Sequence, residues 1–166
     1  MTLKPVQIQG WLKDVNDNFA DLGPVDSVNG LGSLRVARFT FDTAENDSAG
    51  ADNSAIGAHG TGVILPIHAI VVGGFFDVNT AFTTSASGTL AIHVQGANDI
   101  QTATIVSSAP FSTIGRKAIV PKANTPESTS VKCTAAREIT CTVATGALTA
   151  GKLTGYLYYV EGIASA

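Results

Sequence analysis

Thr89-Leu90-Ala91-Ile92-His93-Val94-Gln95 alternates along its whole length. Leu90, Ile92 and Val94 fall on one side of an extended chain, and Thr89, Ala91, His93 and Gln95 on the other. A period of two marks a half-buried β-strand. Working outward, the same texture recurs on both sides. Leu34–Phe41 is dense in β-branched and aromatic residues, Val63–Leu65 and Ala69–Phe76 flank Pro66, and Thr102–Val106 and Lys117–Val120 are shorter candidates. Pro66 belongs at a strand edge, bulge or turn, since it cannot donate to a ladder. Ser130–Thr134 and Glu138–Thr145 read as a hairpin around Ala135-Ala136-Arg137, and Lys152–Val160 is the last strand. About eight strands at roughly 10–12-residue spacing predict an all-β antiparallel sandwich. The long crossing loops favour a jelly-roll-like arrangement; an immunoglobulin-type sandwich is the alternative topology. Asp42–His59 reads as one long loop, and no internal repeat of fixed period occurs.

Residues 1–33 break the pattern. Ile8, Trp11, Leu12, Val15 and Phe19 recur at spacings of three and four, one face of a helix. Gly23-Pro24 stops it, glycine as C-cap and proline just beyond. Pro24 to Ser33 reads as a linker. The expected organisation is an N-terminal amphipathic helical arm and linker (1–33) followed by a β-sandwich domain (34–166). A helix of about 15 residues is marginal alone in water, so its apolar face must dock. It can dock on its own β-domain, or on a partner or neighbouring copy.

Composition narrows the function classes. Of 166 residues, 45% are hydrophobic and only 14% charged, against about 25% charged in an ordinary soluble domain. Interface cores are depleted in charge, so the chain suits a subunit of an assembly. The net charge of −3 speaks against a nucleic-acid partner. No run of about 18 apolar residues exists, so no transmembrane helix and no membrane partner is expected.

Candidate chemistry is sparse. Cys133 and Cys141 lie on alternating apolar stretches; a disulfide depends on hairpin register, and the other reading is two small buried thiols. His59, His68 and His93 show no metal-ligand spacing, so neither metal nor cofactor is expected. Asp42, Glu45, Asp47 and Asp52 form an acidic loop without EF-hand spacing, read as solvated. Arg116, Lys117, Lys122, Lys132 and Arg137 make segment 113–137 basic. In a repeating assembly such patches can pair between neighbours, which sets orientation more than affinity. No GxSxG, P-loop or dinucleotide motif occurs, and an enzyme is not expected.

One stretch carries a family likeness. Ser54-Ala55-Ile56-Gly57-Ala58-His59-Gly60-Thr61-Gly62-Val63-Ile64-Leu65-Pro66-Ile67-His68-Ala69-Ile70-Val71 resembles a segment of small virion proteins of tailed bacteriophages. There, Ile-Gly-x-His leads into Gly-Val-x-Ile/Leu-Pro and an Ala-Ile/Val-Ile/Val strand. Phe76-Asp77-Val78 matches the strand end that follows, and Leu148–Leu153 with Tyr159–Gly162 is similar to the closing strand. The likeness spans about a quarter of the chain. It implies a non-catalytic structural protein of the virion, most simply a head decoration (cement) protein on the capsid surface. Its partner would be the major capsid protein, it would act as a homotrimer, and it would be assembled in the host cytoplasm. The alternative is a tail or fibre component, including a host-binding one. Decoration proteins of this kind often hold the lattice with an N-terminal arm, a role that Ile8, Trp11, Leu12, Val15 and Phe19 would serve here.

Overall fold

The computed structural model describes residues 34–122 and 130–161. Nine strands fill them: β1 (Leu34–Asp42), β2 (Gly57–Leu65), β3 (Ala69–Thr84), β4 (Thr89–His93), β5 (Gln101–Ile105), β6 (Gly115–Ile119), β7 (Val131–Lys132), β8 (Arg137–Ala144) and β9 (Leu148–Glu161). No helix occurs among the described residues, and the arm residues 8–19 lie outside them. One sheet runs β1-β9-β3-β6, with β7 also on β3; the other runs β2-β8-β4-β5. Leaving β7 aside, the first strand neighbours the last, the second neighbours the next to last, and so inward to β4-β5. The described residues thus form an all-β fold of two antiparallel sheets.

Alternation decides what the sheets bury. In β4, Leu90 and Ile92 are fully buried. In β1, Ala37, Phe39 and Phe41 point inward while Val36 and Arg38 face solvent. Phe76, Phe82 and Phe111 join them between the sheets, with Leu65, Ile139, Leu153 and Leu157. Phe82 stacks on Phe41 at 6.2 Å and meets Phe111 edge-on at 5.7 Å. Beneath Phe39 lies Gly155, where any Cβ would run into the ring. Glycine there is a packing requirement, because the tip of the Phe39 ring fills the space a Cβ would take.

Three expectations need correction. β2 begins at Gly57, inside the stretch read as loop. Gly-Ala-His-Gly lacks β-branched residues, but the ladder to β8, with His59 opposite Cys141, supplies what propensity does not. β3 runs on past Phe76 to Thr84, paired with β9 through several register shifts. The hairpin around Ala135-Ala136-Arg137 does not form. β7 pairs with β3 in one sheet, whereas β8 pairs with β2 and β4 in the other. The chain crosses the sandwich between them, because an alternating pattern specifies a face and not a partner strand. Cys133, just past β7, and Cys141 on β8 are therefore buried free thiols. Burial pushes both thiols up, Cys141 the more strongly.

Candidate interaction surface

The acidic loop is built as a scaffold. Asp42 accepts the amide of Ala44 and pairs with Lys152 Nζ at 2.8 Å. Asp47 accepts the amides of Ala49 and Ala51, and its second oxygen lies 3.3 Å from His59 Nδ1. His59 Nε2 lies 2.9 Å from the carbonyl oxygen of Ala55. Asp52 accepts the amide of Ser54. These are Asx turns, in which a carboxylate replaces missing ladder partners. The Asp47 and His59 side chains are each only 4% exposed, so the expectation of a solvated loop fails at its centre. Three carboxyls are held below their ordinary range: Asp42 chiefly by Lys152, Asp47 by the Ala51 amide, and Asp52 by the Ser54 amide. Glu45 stays exposed.

Two side chains of the basic segment, Arg116 and Lys117, are likewise committed locally. Arg116 reaches both carboxylate oxygens of Asp77 at 3.1 and 3.2 Å, which raises its own pKa. Lys117 Nζ donates to Thr113, and the backbone amide of Lys122 donates to the Asp99 carbonyl. The described ion pairs of Asp42 and Arg116 thus lead to Lys152 and Asp77, and not to each other.

The histidines are dispersed. His59 faces the core from β2, His68 sits in the Pro66–Ala69 turn, and His93 lies on the outer face of the second sheet. Among the described residues no group of three His, Cys, Asp or Glu could hold a metal ion. His93 Nδ1 is buried without a partner, and burial holds its imidazole below the ordinary 6.5, against a smaller pull from Asp99. The fold therefore favours the neutral ring. Stability from this group is complete above about pH 6.5 and is lost as pH falls through the lower folded value. The three lowered aspartates add a second limb, complete above about pH 4 and lost further below. Urea titrations at about pH 7, 5 and 3.5 are expected to show both limbs, and His93→Gln to remove only the first. An unchanged loss between pH 7 and 5 in that variant would contradict the assignment.

A feature not singled out from the sequence lies on the outer face of the β1-β9-β3-β6 sheet. Tyr156 is opposite Phe75 across the β9–β3 ladder, and Tyr158 is opposite Gly73 one step along. Phe75 stacks on Tyr156 at 4.8 Å and meets Tyr158 edge-on at 6.2 Å. From the β6 side, the Arg116 guanidinium lies 4.3 Å from the Phe75 ring centre. Val36 on β1 and Val72 at a bulge of β3 are 56% and 55% exposed. An apolar row thus crosses β1, β9 and β3, with Arg116 of β6 at its edge. The signal was present as outward-parity aromatics, but parity becomes meaningful only once the inner face is known. Tyr, Phe and Arg are the residues enriched in interface cores.

No family model matches the sequence, and no curated protein does. Solved structures do share the fold. A chain in the acidic stable capsid structure of Helicobacter pylori bacteriophage KHP30 matches with TM-score 0.51 and 11% identity, over 77% of this chain and 87% of that one. A chain of the cyanophage Pam1 capsid asymmetric unit matches with TM-score 0.50 and 18% identity, over 78% and 85%. A chain of the capsid of Ralstonia phage GP4 matches with TM-score 0.50 and 20% identity, over 80% and 87%.

Proposed function

We propose that this chain is a non-enzymatic structural protein of a phage virion, a decoration or cement protein on the capsid surface. It binds the major capsid protein as a homotrimer, after assembly in the host cytoplasm, and stabilises the head lattice. The observation that carries this reading is the likeness of nearly the whole sandwich to chains of three phage capsid structures. A fold alone hosts many functions. The charge-poor composition and the exposed apolar row add independent support for life inside an assembly. Many modest contacts suffice on a lattice, because repeated engagement multiplies them through effective concentration.

Immunogold labelling of virions and co-sedimentation with purified heads lacking this protein test the reading. Label over the head and saturable head binding are expected; label at the tail would instead establish a tail or fibre component. Deleting residues 1–22 is expected to abolish head binding while leaving the melting transition of the β-domain unchanged. The apolar positions Ile8, Trp11, Leu12, Val15 and Phe19 would then be the anchors, since buried aromatics dominate interface energies. Head binding retained by that truncation would remove the arm from the mechanism.

A further inference from the structure

We propose that His59 is a proton-operated clasp: the loop joining β1 to β2 stays closed while both ring nitrogens carry a proton, and loosens when the Nδ1 proton leaves. This goes beyond the decoration reading and does not depend on it.

The geometry places the protons. His59 Nε2 lies 2.9 Å from the Ala55 carbonyl oxygen, and Nδ1 lies 3.3 Å from Asp47 Oδ2. A carbonyl oxygen only accepts, so Nε2 donates to it and carries a proton. In a neutral imidazole Nδ1 is then a bare acceptor, its lone pair aimed at a carboxylate oxygen. Two acceptors so close repel each other, so the contact needs one more proton. Asp47 is poorly placed to hold it. Its Oδ1 accepts the amides of Ala49 and Ala51 at 2.9 and 2.8 Å, bonds that favour the ionised carboxylate. The proton therefore sits on Nδ1, and the contact is a charge-assisted bond from imidazolium to carboxylate.

The surroundings suit such a bond. The two side chains are nearly sealed from water, which therefore competes little for the proton. Asp52, in the same loop, is a second acid whose charge acts on His59. Opposite His59 on β8 stands Cys141, whose buried thiol stays neutral. β1 contributes the uncharged Phe41 ring, 6.2 Å away.

The clasp fastens the middle of the loop to a strand. The Asp47 amide donates to the Ala51 carbonyl at 2.8 Å, and the next amide, of Ser48, donates to Gly60 on β2 at 3.0 Å. β1 and β2 belong to different sheets, so this loop bridges the two. The clasp contributes fully while His59 holds its second proton, and its contribution is lost as pH rises and that proton leaves. The sign is opposite to that of His93, so the test reads the loop locally.

That test uses the full-length protein across about pH 5–9, which spans the ordinary imidazole titration. Long-range proton–nitrogen correlation spectroscopy reports which nitrogens of His59 are protonated. Amide hydrogen exchange at Ala49 and Ala51, corrected for the intrinsic rate, reports whether the loop is closed. Protection is expected to drop by about tenfold or more once Nδ1 is bare, the loss of one bond to a charged group. A proton kept on Nδ1 to the top of the range, with protection unchanged, also supports the clasp. A bare Nδ1 in a loop that is still protected would overturn it. Asp47→Asn supplies a second arm. The Asn oxygen can keep both amides while its NH2 group donates to a bare Nδ1, so the pH dependence should reverse: closed with neutral His59, loosened when Nδ1 gains a proton. The same pH profile in variant and wild type would overturn the proposal; should the variant not fold, the wild-type measurement decides alone.

Discussion

Phe82→Ala is expected to lower the unfolding free energy by about 3–5 kcal/mol. Phe82 is 2% exposed and sits where both sheets meet. It touches Phe41 of β1 on one side and Phe111 of the β5–β6 connection on the other, and Phe111 in turn stacks on Phe76 at 5.6 Å. Its backbone amide also donates to the Phe111 carbonyl at 3.0 Å, so the surrounding chain is pinned and cannot collapse into the space left by the ring. That is the condition under which the cavity cost is added in full to the lost transfer energy. A small domain has about 5–15 kcal/mol in total, so the loss is a third or more of it. A urea titration should show the midpoint falling with the slope unchanged. A loss under about 1 kcal/mol would mean that the site relaxes freely and that the ring is not central to the core.

Gly151→Ala is expected to be nearly as damaging, for a different and partly shared reason. Gly151 on β9 has φ +147°, a conformation that side chains rarely adopt, and a Cβ there would enter the Phe82 ring. The backbone cannot easily turn away, because the Gly151 carbonyl accepts both the amide and the hydroxyl of Thr43 at 3.0 and 3.1 Å. Strain contributes about 1–3 kcal/mol and overpacking about as much again. The shared part is separable. In a Phe82→Ala background the new methyl has room, so only the strain should remain, and the two substitutions should couple by about 1–3 kcal/mol. Strict additivity in the double-mutant cycle would show that the ring and the glycine do not meet.

The fold class was legible because strand alternation is local information. The period-two run from Thr89 to Gln95 predicts Leu90, Ile92 and Val94 as buried, and they are, although Ala91 on the opposite side is buried too. The scarcity of charge was equally legible, as was the thiol character of Cys133 and Cys141, one of the two readings open to them. The partners of the strands were not. Ser130–Thr134 and Glu138–Thr145 look like a hairpin because they are adjacent and complementary, yet β7 and β8 join different sheets. Pairing is set by the closure of the whole sandwich, a sum over distant contacts that no window of sequence contains. The acidic loop misled for a related reason. Asp47 reads as one more solvated carboxylate until the chain brings His59 from β2 against it, twelve residues on. The outward aromatic cluster was hidden most deeply. Phe75, Tyr156 and Tyr158 are ordinary strand residues, and their partner Arg116 belongs to a segment that reads as a basic patch. Local chemistry determines which side of a strand is apolar. Only the tertiary arrangement decides which apolar residues are used up in the core and which are left outside, available to a neighbour.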